Sequence, residues 1–160
     1  NAGAGPAGAR GLPLKAWRLV HPRWADTALS GEGAALYPGR WNKPGERVVY
    51  LADSLALAVL ETLVHLEATK AAQPFVAIEI SVPDDAVTKP TDLASGWEHE
   101  LAVTRDLGSD WLGVGRSLAL YVPSALVPDG GNLLVNPAHA DAVRLKETRR
   151  LEFRWDDRLF

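Results

Sequence analysis

At 160 residues and 17.2 kDa the chain has the size of one domain, and its 47% hydrophobic residues suffice for a core. Seventeen Lys and Arg against 20 Asp and Glu leave a net charge of -3, which excludes a global positive field for gathering nucleic acid or an anionic membrane. The absence of cysteine excludes disulfides, thiolate metal sites, iron-sulfur clusters and cysteine nucleophiles, and accords with the expected location, a reducing cytoplasm.

Asn1 to Pro13 is mostly Gly, Ala and Pro with Arg10 as its one charged side chain, and is read as a flexible arm ahead of a domain over 14–160. No methionine occurs, the first position included, so the arm is read as following a processing boundary and is left out of the fold. Lys15 to Val20 alternates as a half-buried strand, with Trp17 and Leu19 on one face and Arg18 on the other. His21 to Gly39, punctuated by Gly and Pro, reads as a long folded loop with a helical turn or two around Ala25 to Leu29. Gly39 to Asn42 reads as a short extended piece, Lys43-Pro44-Gly45 as a turn, and Arg47 to Ala52 as a second, neighbouring strand.

Asp53 is expected to cap a helix over about Ser54 to Ala68. Its predicted apolar stripe holds Ala56, Leu60, Leu63 and Val64 with Glu67, and Glu61 lies on the margin between Leu57 and His65. The run is too short for a bilayer and carries Glu61, His65 and Glu67. Phe75 to Val82 is a third strand, followed by a polar loop to about Ser95. Glu98 to Gly115 is read as a helix broken at Gly108, and strands are predicted over Leu118 to Val122, Asn132 to Val135 and Glu152 to Trp155. The mixture of Arg144, Lys146, Arg149 and Arg150 with Glu147 and Glu152 reads as a solvated face. These elements sum to a strand-rich α+β domain.

Four polar residues interrupt otherwise plain elements: Arg18, Arg40, Tyr50 and Glu61. Two arginines on adjacent strands suit a diphosphate, because each planar guanidinium grips phosphate oxygens in pairs. A strand tyrosine can stack on a flat heteroaromatic ring, or simply bury its ring and keep its hydroxyl wet. A carboxylate within an apolar helix needs a partner, a solvated cleft or a raised pKa. Placed beside a sugar ring, it stabilises the positive charge that develops as a glycosidic bond breaks. The nicotinamide of NAD leaves as a neutral base, so one carboxylate suffices there and no second acid is required. His21, His65, His99 and His139 lack metal-ligand spacing, and no metal is expected.

The same stretches carry a resemblance. Trp17-Arg18, Ala28-Leu29-Ser30-Gly31-Glu32-Gly33-Ala34, Gly39-Arg40-Trp41-Asn42, Val48-Val49-Tyr50-Leu51-Ala52 and Leu60-Glu61 are similar to the RES domain, named for Arg, Glu and Ser, of bacterial RES-Xre toxin-antitoxin pairs. So are Val122-Pro123-Ser124, Asn132-Leu133-Leu134-Val135-Asn136-Pro137 before His139, and Phe153-Arg154-Trp155-Asp156, although the family pattern has a proline where Asp157 stands. The likeness spans Leu14 to Leu159. It implies an ADP-ribosyltransferase-like fold, with a split central sheet and flanking helices around a cleft for NAD.

By the resemblance, Arg18 and Arg40 hold the dinucleotide, Tyr50 is the aromatic on the nicotinamide side, Glu61 is the catalytic acid and Ser124 the family serine. Asn136, in an Asn-Pro turn, is a further candidate for the same pocket. The implied protein is an NAD-consuming toxin that passes ADP-ribose to water, phosphate or a protein side chain. Its implied partner is an Xre-type antitoxin that blocks the cleft and leaves no direct nucleic-acid or membrane binding to the toxin. A non-catalytic dinucleotide-binding or protein-interaction module is the alternative from another class, and a nuclease is disfavoured by charge and by the missing metal cluster.

Overall fold

The computed structural model describes residues 11–160, so most of the predicted arm, residues 1–10, lies outside the described part. The first strand, β1, runs Leu14–Val20. The expected loop after it contains a 3-10 helix, Pro22–Thr27, capped by the His21 ring, and a short helix, α1, Glu32–Leu36. Gly39 to Asn42 is not a strand: it is an irregular turn ahead of β2, Val49–Ala52. Arg18 and Arg40 are therefore not on adjacent strands.

The second helix, α2, covers Leu55–Leu63, and its N-cap is Ser54 rather than Asp53. The Ser54 hydroxyl accepts from the Leu57 amide at 3.1 Å, while Asp53 is drawn away by the sheet. Its carboxylate accepts from the Tyr121 hydroxyl and the Gly131 amide, both at 2.9 Å. α2 stops short of Ala68 in tight turns, His65 N to Thr62 O at 3.2 Å and Leu66 N to Leu63 O at 3.1 Å. Its buried residues are Leu57 and Ala58, whereas Ala56, Leu60 and Val64 of the predicted stripe are exposed. The helix is apolar on nearly every side, so periodicity alone could not choose the face.

β3 is Phe75–Val82, and a two-residue strand, β4, is Val87–Thr88. The third helix, α3, runs unbroken over Leu101–Val114 through Gly108 and ends at the left-handed Gly115. β5 is Ala119–Pro123 and β6 is Gly131–Val135. The last strand, β7, begins at Lys146 and runs to Phe153. It is an edge strand whose outward charges hide its strand character and oppose further pairing. Among the described residues no helix is long and apolar enough to cross a membrane.

All seven strands form one sheet in the order β4-β5-β6-β2-β1-β3-β7, antiparallel except for β4 beside β5. β1 pairs with β3 along its whole length, from Leu14↔Val82 to Val20↔Val76. β1 meets β2 at a single pair, Trp17↔Ala52. The sheet is thus two well-paired halves joined at one position, the split architecture expected for this α+β fold. α2 packs over the β1-β3 half on Trp17, Leu19, Phe75 and Ala77. α3 covers the β5-β6 half through Leu107, Trp111 and Leu112 against Leu120, Val122 and Leu134. Between these two covers lies the principal cleft.

Gly108 lets α3 approach the Arg40 turn, since a Cβ there would stand 1.7 Å from the Trp41 carbonyl oxygen. Gly108→Ala would gain about 1 kcal/mol of helix propensity but must push backbone against backbone, an overpacking cost that exceeds it. Urea unfolding is expected to show a net loss of about 1 to 2 kcal/mol. Stabilisation would contradict this packing.

Candidate active site

The cleft has a volume of about 900 Å³, within the range of small-molecule and cofactor sites. Its walls are Trp17, Arg18 and Leu19 of β1, Tyr50 to Ala52 of β2, Ala58, Glu61 and Thr62 of α2, and Leu101 and Arg105 of α3. Tyr37 to Trp41 cross between the helices, and Asn132 lies beside Glu61. Arg18, Arg40, Tyr50 and Glu61 all line it.

Glu61 is half-buried one turn after Leu57, with each carboxylate oxygen facing a different neighbour. Asn132 Nδ2 donates to Oε2 at 2.9 Å and also reaches the Leu51 carbonyl at 3.3 Å. Ser124 Oγ lies 3.5 Å from Oε1, the outer limit of a hydrogen bond. The same hydroxyl accepts from the Leu126 and Val127 amides at 3.1 Å each, so Ser124 ties the turn after β5 to the carboxylate. Burial pushes the Glu61 carboxyl above the ordinary value, and the Asn132 and Ser124 hydrogen bonds oppose it only in part.

Arg18 occupies the place where β1 and β2 part. Its Nη1 donates to the Tyr50 carbonyl at 3.1 Å, and its buried Nε has no hydrogen-bond partner among the described residues. Burial lowers its pKa. Among the described residues neither Arg18 nor Glu61 belongs to an ion pair. Arg40 is met by the Glu98 carbonyl at 2.7 Å, not by a carboxylate, and its guanidinium carbon lies 5.9 Å from the Trp97 ring centre.

The Tyr50 ring faces the cleft, but its hydroxyl is engaged: it donates to Asn42 Oδ1 at 2.7 Å and accepts from the Trp41 amide at 3.0 Å. Burial pushes the phenol up to about 12. Asn136 is not brought to the cleft. It sits in the turn after β6, where its amide oxygen accepts from the Ala138 amide at 3.0 Å, the local role favoured for an Asn in a turn.

Sequence reasoning passed over Asn132, Asn42 and Arg105. Asn132 stands within an apolar strand, where Asn is a poor strand former, and it is buried, as is Asn42 in its turn. That mismatch was the available signal. Arg105, on a helix otherwise read only for its break, left none.

The class defined here is an α+β domain whose split sheet places a carboxylate and arginines around one cleft. More specifically, the chain belongs to the RES domain family, whose model matches residues 15–156. It is 42% identical over 138 residues to the Prs ADP-ribosylating toxin of Sphingobium sp. strain YBL2, covering 82% of this chain and 86% of that protein. It is 38% identical over 148 residues to Toxin Res of Yersinia enterocolitica, covering 89% and 97%. Toxin Res of Pseudomonas putida is 38% identical over 147 residues, 90% and 98% of the two chains. A chain from the crystal structure of the M. tuberculosis MbcT-MbcA toxin-antitoxin complex shares the fold, with a TM-score of 0.73 at 20% identity over 91% of this chain and 86% of that one.

A carboxyl whose pKa is higher folded than unfolded favours the folded state most when protonated. That contribution is full below the unfolded value and disappears as pH rises through the folded one. Glu61→Gln, which keeps an acceptor for Asn132, is therefore expected to unfold at a temperature equal to or above that of the wild type at pH 7. The difference should shrink as pH falls through the Glu61 titration. A clearly less stable Gln variant at pH 7 would contradict the placement of the carboxylate.

Proposed function

We propose that this protein is the toxin of a toxin-antitoxin pair and cleaves the bond between nicotinamide and ribose in NAD. The observation that carries the reading is the presence, in one cleft, of a buried guanidinium and a half-buried carboxylate that form no ion pair among the described residues. The names of the relatives and the family match support the same reading.

In this mechanism Arg18 and Arg40 bind the diphosphate, and the Tyr50 ring packs on the nicotinamide side. The bond from the ribose anomeric carbon to the pyridine nitrogen breaks, and its electron pair leaves with neutral nicotinamide. Ionised Glu61, held by Asn132, stabilises the ribosyl cation without reorganising. Ser124 orients the carboxylate or meets the ribose. A nucleophile then bonds to the anomeric carbon and loses a proton. Water gives ADP-ribose, phosphate gives its 1-phosphate ester, and a protein side chain gives a modified protein. An Xre-type antitoxin covering the cleft would keep the enzyme silent in the cytoplasm.

The test is incubation of the purified protein with NAD labelled in its adenine half, with and without inorganic phosphate and with cell extract. Release of free nicotinamide is expected, and the position of the label names the acceptor. Arg40→Ala should raise the NAD concentration needed for half-maximal rate by at least about tenfold. Tight binding of NAD without nicotinamide release would instead make the protein a dinucleotide-binding module.

A further inference from the structure

Pro38 to Asn42 carry Arg40 along the cleft without helix or strand, yet their peptide groups are held from both sides. In the Pro38-Gly39 peptide, the carbonyl accepts from Arg105 Nη2 at 3.3 Å and the amide donates to Asn42 Oδ1 at 2.8 Å. In the Arg40-Trp41 peptide, the carbonyl accepts from Thr104 Oγ1 at 2.7 Å and the amide donates to the Tyr50 hydroxyl at 3.0 Å. The intervening Gly39 carbonyl accepts from Arg105 Nε at 3.0 Å. Peptide groups are planar, so fixing those on either side of a Cα fixes its two backbone torsions. The Arg40 side chain consequently leaves the backbone in a set direction.

Thr104 is fully buried on α3, outside the cleft lining. A helical threonine commonly bonds its own preceding turn. Here the hydroxyl is 3.1 Å from the Leu101 carbonyl and 3.4 Å from that of Glu100, but closest to Arg40. The approach is confined by glycines: a Cβ on Gly39 would meet the Tyr50 hydroxyl at 2.7 Å, as one on Gly108 would meet the Trp41 carbonyl.

We propose that Thr104 is a positioning residue for Arg40, acting from α3 on one end of a peptide group whose other end the Tyr50 hydroxyl holds from β2. It fixes the backbone from which the Arg40 side chain leaves, while the Glu98 carbonyl holds the guanidinium end, so that less ordering remains to oppose binding. This rests on the reading of Arg40 as a diphosphate ligand.

Thr104→Val keeps the shape and removes the hydroxyl, and Thr104→Ser keeps the hydroxyl. With NAD, Thr104→Val is expected to raise KM about tenfold with kcat within about twofold of wild type, and Thr104→Ser to restore KM. In an Arg40→Ala background Thr104→Val should add no further rise. The Trp41 amide should exchange with solvent faster in Thr104→Val and at the wild-type rate in Thr104→Ser. Tyr50→Phe frees the other end of the same peptide group, and should give the same Arg40-dependent rise in KM if Thr104→Val fails to fold. An unchanged KM in a folded Thr104→Val, or a rise that persists without Arg40, overturns the proposal. Should the wild type not cleave NAD, the proposed reaction falls, and amide exchange alone decides the brace: unchanged Trp41 protection overturns it.

Discussion

Two opposite charges share one cleft without forming a salt bridge. Glu61 and Arg18 are each partly or wholly withdrawn from water, and among the described residues each has only neutral hydrogen-bond partners. A buried charge so placed is costly, and its pKa moves toward neutrality, as both do here. Glu79 on β3, the buried carboxylate among the described residues, is treated oppositely. Thr148 donates to it at 2.7 Å and Arg149 lies at 3.2 Å, and its carboxyl is held below the usual range. Glu79 in the sheet is thus paired with a cation, whereas Glu61 on α2 is held by neutral donors. On the proposed reading, Glu61 keeps its field for a charge that arrives with a ligand.

The split sheet keeps the two charges apart. Because β1 and β2 pair only at Trp17↔Ala52, room remains for the Arg18 side chain to reach the Tyr50 carbonyl. α2 brings Glu61 over one half of the sheet, and Asn132 on β6 holds it from the other. Arg18 and Glu61 are thus each held by a bond that crosses between the two halves, while hydrophobic clusters pack the helices onto the sheet beneath. The buried polar links are numerous and geometrically demanding, which suits a site that must be arranged before its ligand binds.

Much of this could be read from the sequence where local pattern and tertiary environment agree. The alternation of Lys15 to Val20 and Phe75 to Val82 gave strands close to their actual bounds, and an acid inside an apolar helix marked Glu61. Other features were hidden for definite reasons. The strand at Lys146–Phe153 is an exposed edge, so no buried face stamps a period on it. Gly108 resembled a helix break because the carbonyl that forces a glycine there comes from residue 41, far along the chain. Asp53 looked like a cap until the distant Tyr121 and Gly131 claimed its carboxylate. The turn around Arg40 looked extended because its hydrogen-bond partners, Thr104 and Arg105, lie more than sixty residues later. Local sequence carries little information about such partners.

On the proposed reading Glu61 contributes by charge to breaking a bond, beyond any part it plays in holding the dinucleotide. The most direct measurement is the single-turnover rate of nicotinamide release at saturating NAD for the wild type and Glu61→Gln, with NAD affinity measured alongside. A fall of at least about a hundredfold in the rate, with affinity nearly unchanged, is the predicted result. Equal rates in the two proteins would contradict the account.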